Sequence, residues 1–233
     1  MKKLIFIFFG LILFFHPLFS QKQRVRNQPY GDYKLYHFGI TVGMNFQDVV
    51  LTNSGVDTGG ETWYATIPDY SPGFSVGMIS DLFLNPYMNL RFTPSLSFGD
   101  KVFEFVNPSS GEAFKSTVRS NYLMLPVDLK FRSFRLNNYR PYVVAGAYSV
   151  LDLSLKKDDP ILLKPMDYGL TIGIGSDFYL PFVKIAPEIR FCFGLGNIIE
   201  KDRSDLTNYD LIKYTNAITR GVSRMIIFTV NFE

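Results

Sequence analysis

An alternation of apolar with polar or small residues recurs along nearly the whole chain, and it constrains the fold more than any other feature. A period of two is typical of β-strands whose two faces meet different surroundings. The alternating segments are 36–46, 73–84, 88–98, 123–131, 168–178, 183–195 and 226–232, and a further segment, 141–151, is apolar on both faces, so its facing stays open. No helical pattern separates them, and we therefore expect antiparallel connections.

The connections between these segments alternate in length. Strands one, three, five and seven are followed by about 25, 17, 15 and 24 residues, whereas the other three connections have roughly three, seven and two. An even strand number with short turns at one end and long loops at the other is typical of outer-membrane barrels. The sequence predicts an all-β, eight-stranded antiparallel up-and-down transmembrane β-barrel over residues 34–233, with both termini in the periplasm and long loops outside.

The start of the chain predicts export. Met1-Lys2-Lys3 precedes an apolar stretch that ends at Ser20, so residues 1–20 are predicted to be a signal peptide and 21–33 a periplasmic N-terminal arm. Removing Lys2 and Lys3 lowers the net charge from +3 to +1, which argues against a nucleic-acid partner. After Ser20, no apolar run reaches the about 17–25 residues of a transmembrane helix.

The strands of a soluble eight-stranded barrel of the lipocalin kind would also show this alternation. The position of charged residues decides between a soluble and a membrane barrel. Arg91, Lys130 and Arg190 lie inside strands, and each would cost about 2–4 kcal/mol on a lipid face, so we expect them in the lumen. Aromatic residues near both ends of the strands are typical of the two girdles of a membrane barrel. We therefore expect outer-membrane lipid as a partner of this chain. The aromatic residues are Tyr87, Phe131, Phe178, Phe182 and Phe232 near the short turns, and Phe46, Phe74, Phe98 and Tyr168 near the long loops.

Three prolines, Pro94, Pro126 and Pro187, fall within predicted strands, where proline donates no ladder hydrogen bond. We expect β-bulges at these positions.

Hairpin register predicts what fills the lumen. Pairing Leu84 with Met88 gives an index sum of 172 and sets Asp81 opposite Arg91. A tight turn at Leu180-Pro181 gives a sum of 361 and sets Asp177 opposite Lys184, Glu188 opposite Gly173 and Arg190 opposite Thr171. The hypothesis is a paired lumen charge network of Asp81, Arg91, Asp128, Lys130, Asp177, Lys184, Glu188 and Arg190; the alternative is that these groups are separately hydrated.

Other candidate sites are weaker. His37 is the only histidine after residue 20, and it falls at the short-turn end, away from the long loops where a loop-based enzyme would place a base. The glycines of 169–175 lie inside a strand, unlike those of a dinucleotide site. Asp202, Asp205 and Asp210 lack calcium-loop spacing, and Cys192 is alone and faces the lumen. We predict no catalytic residue, metal, cofactor or small-molecule substrate.

Several short motifs together resemble PorT-type proteins. They are Tyr36-His37-Phe38-Gly39-Ile40, Gly43-Met44-Asn45, Asn89-Leu90-Arg91-Phe92, Arg140-Pro141-Tyr142, Pro187-Glu188-Ile189-Arg190 and Phe232-Glu233. The resemblance singles out His37, Phe38, Gly39 and Asn45, while Met124 departs from it, since an acidic residue is expected there. It implies an outer-membrane barrel required for type IX secretion and, in gliding cells, for motility, with other secretion-machine proteins as partners.

Two non-enzymatic functions follow, with a loop-based enzyme as a third alternative. The first is a secretion component that acts as an accessory or scaffold, because an eight-stranded interior is just wide enough for side chains to fill. The second is a surface-binding or adhesion barrel that uses its long loops.

Overall fold

The computed structural model describes residues 26–58, 61–67, 71–108, 110–154, 160–203 and 211–233. The predicted signal peptide, residues 1–20, and the first part of the predicted arm lie outside them. Across the described residues, no helix combines the length and apolar character needed to cross a membrane.

The part of the chain that the structure describes is mostly antiparallel β-structure. A 3₁₀-helix, Gly31–Tyr33, precedes the strands, and one short helix, α1 (Ile212–Asn216), precedes the last strand. The strands are β1 (Tyr36–Asn53), β2 (Asp57–Thr58), β3 (Glu61–Thr62), β4 (Tyr64–Thr66), β5 (Pro72–Asn85), β6 (Met88–Phe92), β7 (Ser95–Val106), β8 (Ala113–Arg132), β9 (Tyr139–Asp152), β10 (Met166–Tyr179), β11 (Lys184–Gly194) and β12 (Ile218–Phe232).

These strands form a closed ring. The order is β1-β12-β11-β10-β9-β8-β6-β5, and β5 pairs back onto β1. β6 and β7 together make one barrel strand, because both pair with β5 and with β8 in a common register. The predicted eight-stranded antiparallel ring is confirmed.

The β7–β8 hairpin is longer than the alternation indicates. Pairing continues as far as Val106 and Ala113, so the connection predicted at about 17 residues spans only 107–112. Lys115 and Arg119 on the extension are 61% and 66% exposed and pair with Glu104 and Asp100. On this extension the exposed residues are mostly polar, so the apolar-outward alternation that marks the other strands does not extend over it.

The two faces of the ring differ as predicted. Outward residues form an exposed apolar band that includes Phe38 (71%), Met44 (53%) and Ile174 (58%), and inward residues such as Thr171 and Asn231 are buried. Strand β9, whose facing the sequence left open, turns Tyr142 and Val144 inward and Val143 outward. A continuous exposed apolar band indicates a surface that meets lipid.

The expected bulges at the three prolines are wrong. Register is unchanged across the break at Pro94, because Phe92 pairs with Val127 and Ser95 with Met124. At Pro187 the β10–β11 ladder instead skips from the pair Gly175–Glu188 to the pair Phe178–Ile185, and Pro126 stays in register opposite Tyr148. Where proline lacks an N–H donor, ladder pairs are missing, but the register of the strands stays the same on both sides.

The long-loop end is closed by an apolar core, which we call the cap. It combines strand ends with loop residues and includes a tight aromatic group, in which Trp63 and Tyr214 lie 5.1 Å apart and Phe105 and Tyr214 lie 4.8 Å apart between ring centroids. The buried members are Val49, Trp63, Ala65, Phe103, Phe105, Val118, Ile161, Leu163, Ile198, Ile199, Tyr214, Ala217 and Ile218.

Candidate functional site

The β5–β6 ladder places Asp81 opposite Arg91, at the predicted index sum. Arg91 donates from Nε to Asp81 Oδ1 at 3.0 Å and from its terminal nitrogen to Oδ2 at 2.8 Å. Both side chains are 1% exposed or less. The turn differs in one detail, because Met88 lies opposite Asn85 instead of Leu84.

The register predicted for β10 and β11 is wrong by two residues. Lys184 lies opposite Tyr179, Glu188 opposite Gly175 and Arg190 opposite Gly173. The turn closes from Leu180 to Val183, whose backbone hydrogen bond is 3.0 Å. This puts Pro181 at the second turn position, where its fixed φ fits, whereas the predicted turn puts it at the third, where it is disfavoured.

All eight residues of the predicted charge network are nevertheless buried inside the ring. With Glu233 they form what we call the lumen charge cluster. Arg91 is central, because it also reaches Glu188 at 3.2 Å and Glu233 at 2.7 Å. Lys184 pairs with Glu233 and not with Asp177. One guanidinium therefore joins carboxylates from β5, from β11 and from the residue that follows β12.

The remaining members pair across the lumen. Lys130 donates to Asp177 at 2.9 Å, and the Lys130 ammonium lies 4.0 Å from Glu233. Arg190 contacts Asp128 and Glu188 at 2.8 and 2.7 Å. Each cation has a carboxylate partner, which is the arrangement that a buried charge requires.

Tyr142 supports the cluster from β9. Its hydroxyl donates to Glu188 at 2.8 Å, and the Lys130 ammonium lies 3.9 Å from its ring centroid. Gly175 leaves room for the ring, because a Cβ there would come within 2.5 Å of it. Gly175 is thus a spacer for a large side chain in the lumen.

Sequence reasoning missed Glu233 and Tyr142. Continuing the alternation of the last strand by one residue puts Glu233 on the lumen face next to Asn231, which is buried, so a signal for it was present. Tyr142 gave none, because its segment is apolar on both faces.

The four residues singled out by the family resemblance do not form one site. His37 Nε2 lies 2.6 Å from the Gly31 carbonyl oxygen, and Phe38 points outward. Gly39 passes close to the Phe232 carbonyl. Asn45 is buried and donates to Ser75 Oγ at 2.8 Å. They follow one strand, on both of its faces.

The described part of the arm lies across the short-turn end of the ring. Asn27 donates from its backbone N–H to Asn138 and from its side chain to the Tyr179 carbonyl, at 2.8 and 2.9 Å. Asp32 accepts from Tyr179 and lies 3.3 Å from both Arg135 and Arg140. Burial raises the pKa of Asp32, but the Tyr179 hydroxyl and the surrounding arginines outweigh it and hold the pKa below its ordinary value.

Between the lumen charge cluster and the cap lies an apolar layer of Tyr122, Met124, Tyr148, Val150, Cys192, Met225 and Ile227. Met124, the departure from the family pattern, is fully buried there. Two cavities along the lumen have volumes of about 20 and about 30 Å³, which is room for about one water each. Buried side chains therefore occupy the described lumen at the levels of the charge cluster and of the apolar layer.

The remaining sequence candidates are the acidic loop cluster and Cys192. No group of three potential metal ligands occurs among the residues that the structure describes. Asp205 and Asp210 of the acidic loop cluster lie outside those residues. The buried Cys192 thiol packs in the apolar layer.

Residues 19–200 match the family described as outer membrane protein beta-barrel domain. Among solved structures, OprG from Pseudomonas aeruginosa is 11% identical, over 84% of this chain and 93% of that chain, with a TM-score of 0.46. Neisserial surface protein A (NspA) is 13% identical, over 85% and 98%, with a TM-score of 0.41. No protein of curated function matches significantly. These structural likenesses carry no argument about function.

Proposed function

We propose a function from the premise that this chain belongs to the outer membrane protein beta-barrel domain family: it is a non-enzymatic component of type IX protein secretion and, in a gliding cell, of motility. In this proposal it acts as an accessory or scaffold and not as the conduit. The observation that carries the accessory or scaffold role is the occupied lumen, in which Arg91 and Lys130 are 1% exposed or less.

The scaffold role follows from the interior. Opening a path for cargo would separate Arg91 from Asp81, Glu188 and Glu233, and breaking one partner of a buried pair costs about 3–5 kcal/mol. The cap and the arm would also have to leave. Surfaces that remain for partners are the short-turn end and the outer apolar face.

We propose the orientation usual for such barrels, with the short turns and arm in the periplasm and the cap outside. A secretion machine that spans the periplasm would then meet the arm and the short turns. The family resemblance of the β1 and β11 motifs supports the secretion role.

Deletion of the gene tests this proposal. We expect secreted cargo to disappear from the medium and to accumulate in the periplasm, and complementation with the wild-type gene to restore export. Complementation with Lys115→Gln, at an exposed position on the β7–β8 hairpin, is the matched control and should restore it equally. Normal secretion after deletion would contradict the proposal.

A surface-binding role is the second candidate, because the cap is a packed structure with Trp63 only 3% exposed and could present a fixed surface. The same deletion strain distinguishes the two functions. Unchanged secretion with altered binding of cells to a surface would favour this role.

The proposal includes no catalysis. The only histidine after residue 20 is His37, and it lies away from the long loops, where a loop-based enzyme would place a base. Its Nε2 is engaged by the Gly31 carbonyl oxygen at 2.6 Å, at the end of the ring opposite the long loops. His37→Gln tests this directly, since it should leave secretion intact.

A further inference from the structure

The rim at the short-turn end carries a pocket with unbalanced charge. Its volume is about 260 Å³, and Arg26, Arg135 and Arg140 line it together with a single carboxylate, Asp32. Arg132 adjoins the same carboxylate at 3.8 Å, and its Nε is buried with no hydrogen-bond partner in the structure. One carboxylate thus faces several guanidinium groups.

The pocket opens beside exposed aromatic residues. Tyr87 and Phe134 line it and are 53% and 71% exposed, with their rings edge to face at 5.6 Å. They belong to the short turns, next to the outward face of β6 and β8. Aromatic rings at this level mark the boundary between the hydrocarbon and headgroup regions of a membrane.

We propose that this pocket binds the phosphodiester headgroup of an anionic phospholipid in the adjacent leaflet. Guanidinium groups match phosphate oxygens in geometry and charge, and basic pockets at a membrane surface bind anionic lipid headgroups. The volume is below the about 300–1,000 Å³ of pockets for drug-sized ligands and suits a phosphate with its glycerol. The acyl chains would lie along Tyr87 and Phe134.

In the orientation proposed above, the leaflet next to the pocket is the periplasmic one. The lipid site does not depend on a role in secretion. Failure to bind lipid would therefore leave the deletion experiment untouched, and normal secretion after deletion would leave the lipid site untouched.

Native mass spectrometry of the full-length folded barrel, titrated with phosphatidylglycerol or phosphatidylcholine, tests the proposal. We expect tighter binding of phosphatidylglycerol. Arg26→Gln should weaken it about fivefold, the effect of one basic residue near a membrane surface, and leave phosphatidylcholine binding unchanged. Lys34→Gln, the matched control, removes the same charge immediately after the arm and outside the pocket, and it should change binding less than Arg26→Gln.

Four results would overturn the proposal. Equal binding of the two lipids would exclude a phosphate-selective site. Equal effects of Arg26→Gln and Lys34→Gln would indicate diffuse surface charge. Glycerol phosphate competing as well as the lipid would identify a soluble ligand, and an acidic peptide displacing the lipid at lower concentration would identify a protein partner. Migration of the unheated barrel on SDS gels verifies that each variant is folded.

Discussion

Arg91 on β6 holds Asp81, its direct neighbour on β5, with two hydrogen bonds of 3.0 and 2.8 Å while also contacting Glu233 at 2.7 Å. The pair is therefore both a feature of hairpin register and the centre of the lumen charge cluster. Its loss would affect the wall and the filling of the barrel together.

Arg91→Met should strongly destabilise the barrel. It leaves Asp81, Glu188 and Glu233 without their shared cation, and we expect a loss of about 3–5 kcal/mol in the free energy of unfolding. Urea titration in lipid vesicles measures it. Lys115→Met, at an exposed ion pair, should cost at most about 1 kcal/mol. Equal costs for the two variants would show that burial of the cluster contributes nothing.

Lys130 and Asp177 should be energetically coupled. Lys130→Met alone leaves Asp177 without the ammonium that lies 2.9 Å from it, whereas the double variant Lys130→Met, Asp177→Leu removes both charges. We expect the double variant to be more stable than the sum of the single effects indicates, by about 0.5–3 kcal/mol. A double-mutant cycle in urea measures this energy, and additive effects would contradict the pairing.

Gly175→Ala should disturb Tyr142. The new methyl group would lie within 2.5 Å of the Tyr142 ring, and overpacking of this kind costs about 1–3 kcal/mol. Gly196→Ala is the control, because its nearest neighbour would be an Asp167 oxygen at 3.3 Å. If thermal unfolding in detergent shows the same midpoint for both variants, the ring is not packed against Gly175.

Docking of the arm should depend on pH through Asp32. Its pKa in the folded protein lies below the ordinary 3.8, so the ionised carboxylate stabilises the docked arm above pH of about 4 and this contribution is lost as the pH falls through the lowered pKa. The protection of the Tyr33 and Lys34 amides, which donate to the arm carbonyls of Tyr30 and Gly31, should then fall relative to the intrinsic exchange rate at each pH. Asp32→Asn should exchange rapidly even at neutral pH, and unchanged exchange in that variant would contradict the prediction.

The cap should unfold before the ring. Trp63 is the single tryptophan and is 3% exposed, so its fluorescence reports on the cap alone. Because the cap contains loop segments without a continuous strand ladder, it belongs to the less stable part of the fold. In urea, we expect the emission to shift to the red before gel migration shows loss of the barrel. A single common transition would show that cap and ring unfold together.

The sequence predicts the faces of the strands well because lipid and lumen impose opposite demands on alternate residues. Arg91, Lys130 and Arg190 could be placed inside from the cost of a charge in lipid alone. Pairing Leu84 with Met88 across a short turn then set Asp81 opposite Arg91, and that pair is correct although Met88 itself lies opposite Asn85.

Contacts between side chains across the lumen could not be predicted from the sequence. The partner of Asp177 is Lys130, from a strand that is not its neighbour, and hairpin register says nothing about such pairs. The predicted register of β10 and β11 was wrong for a local reason, which is the position of Pro181 in the turn between them. The contacts of Asp32 at the short-turn end were also not predicted. The alternation within strands carries no information about which arginines an arm residue contacts.

Conductance tests the central claim most directly, which is that the lumen is closed by its own side chains. The purified wild-type barrel, reconstituted in a planar bilayer, should show no large, stable water-filled conductance, since buried side chains of the lumen charge cluster and of the apolar layer occupy the described lumen and two cavities along it have volumes of about 20 and about 30 Å³. A large and stable conductance from that protein would contradict the closed lumen and, with it, the scaffold role.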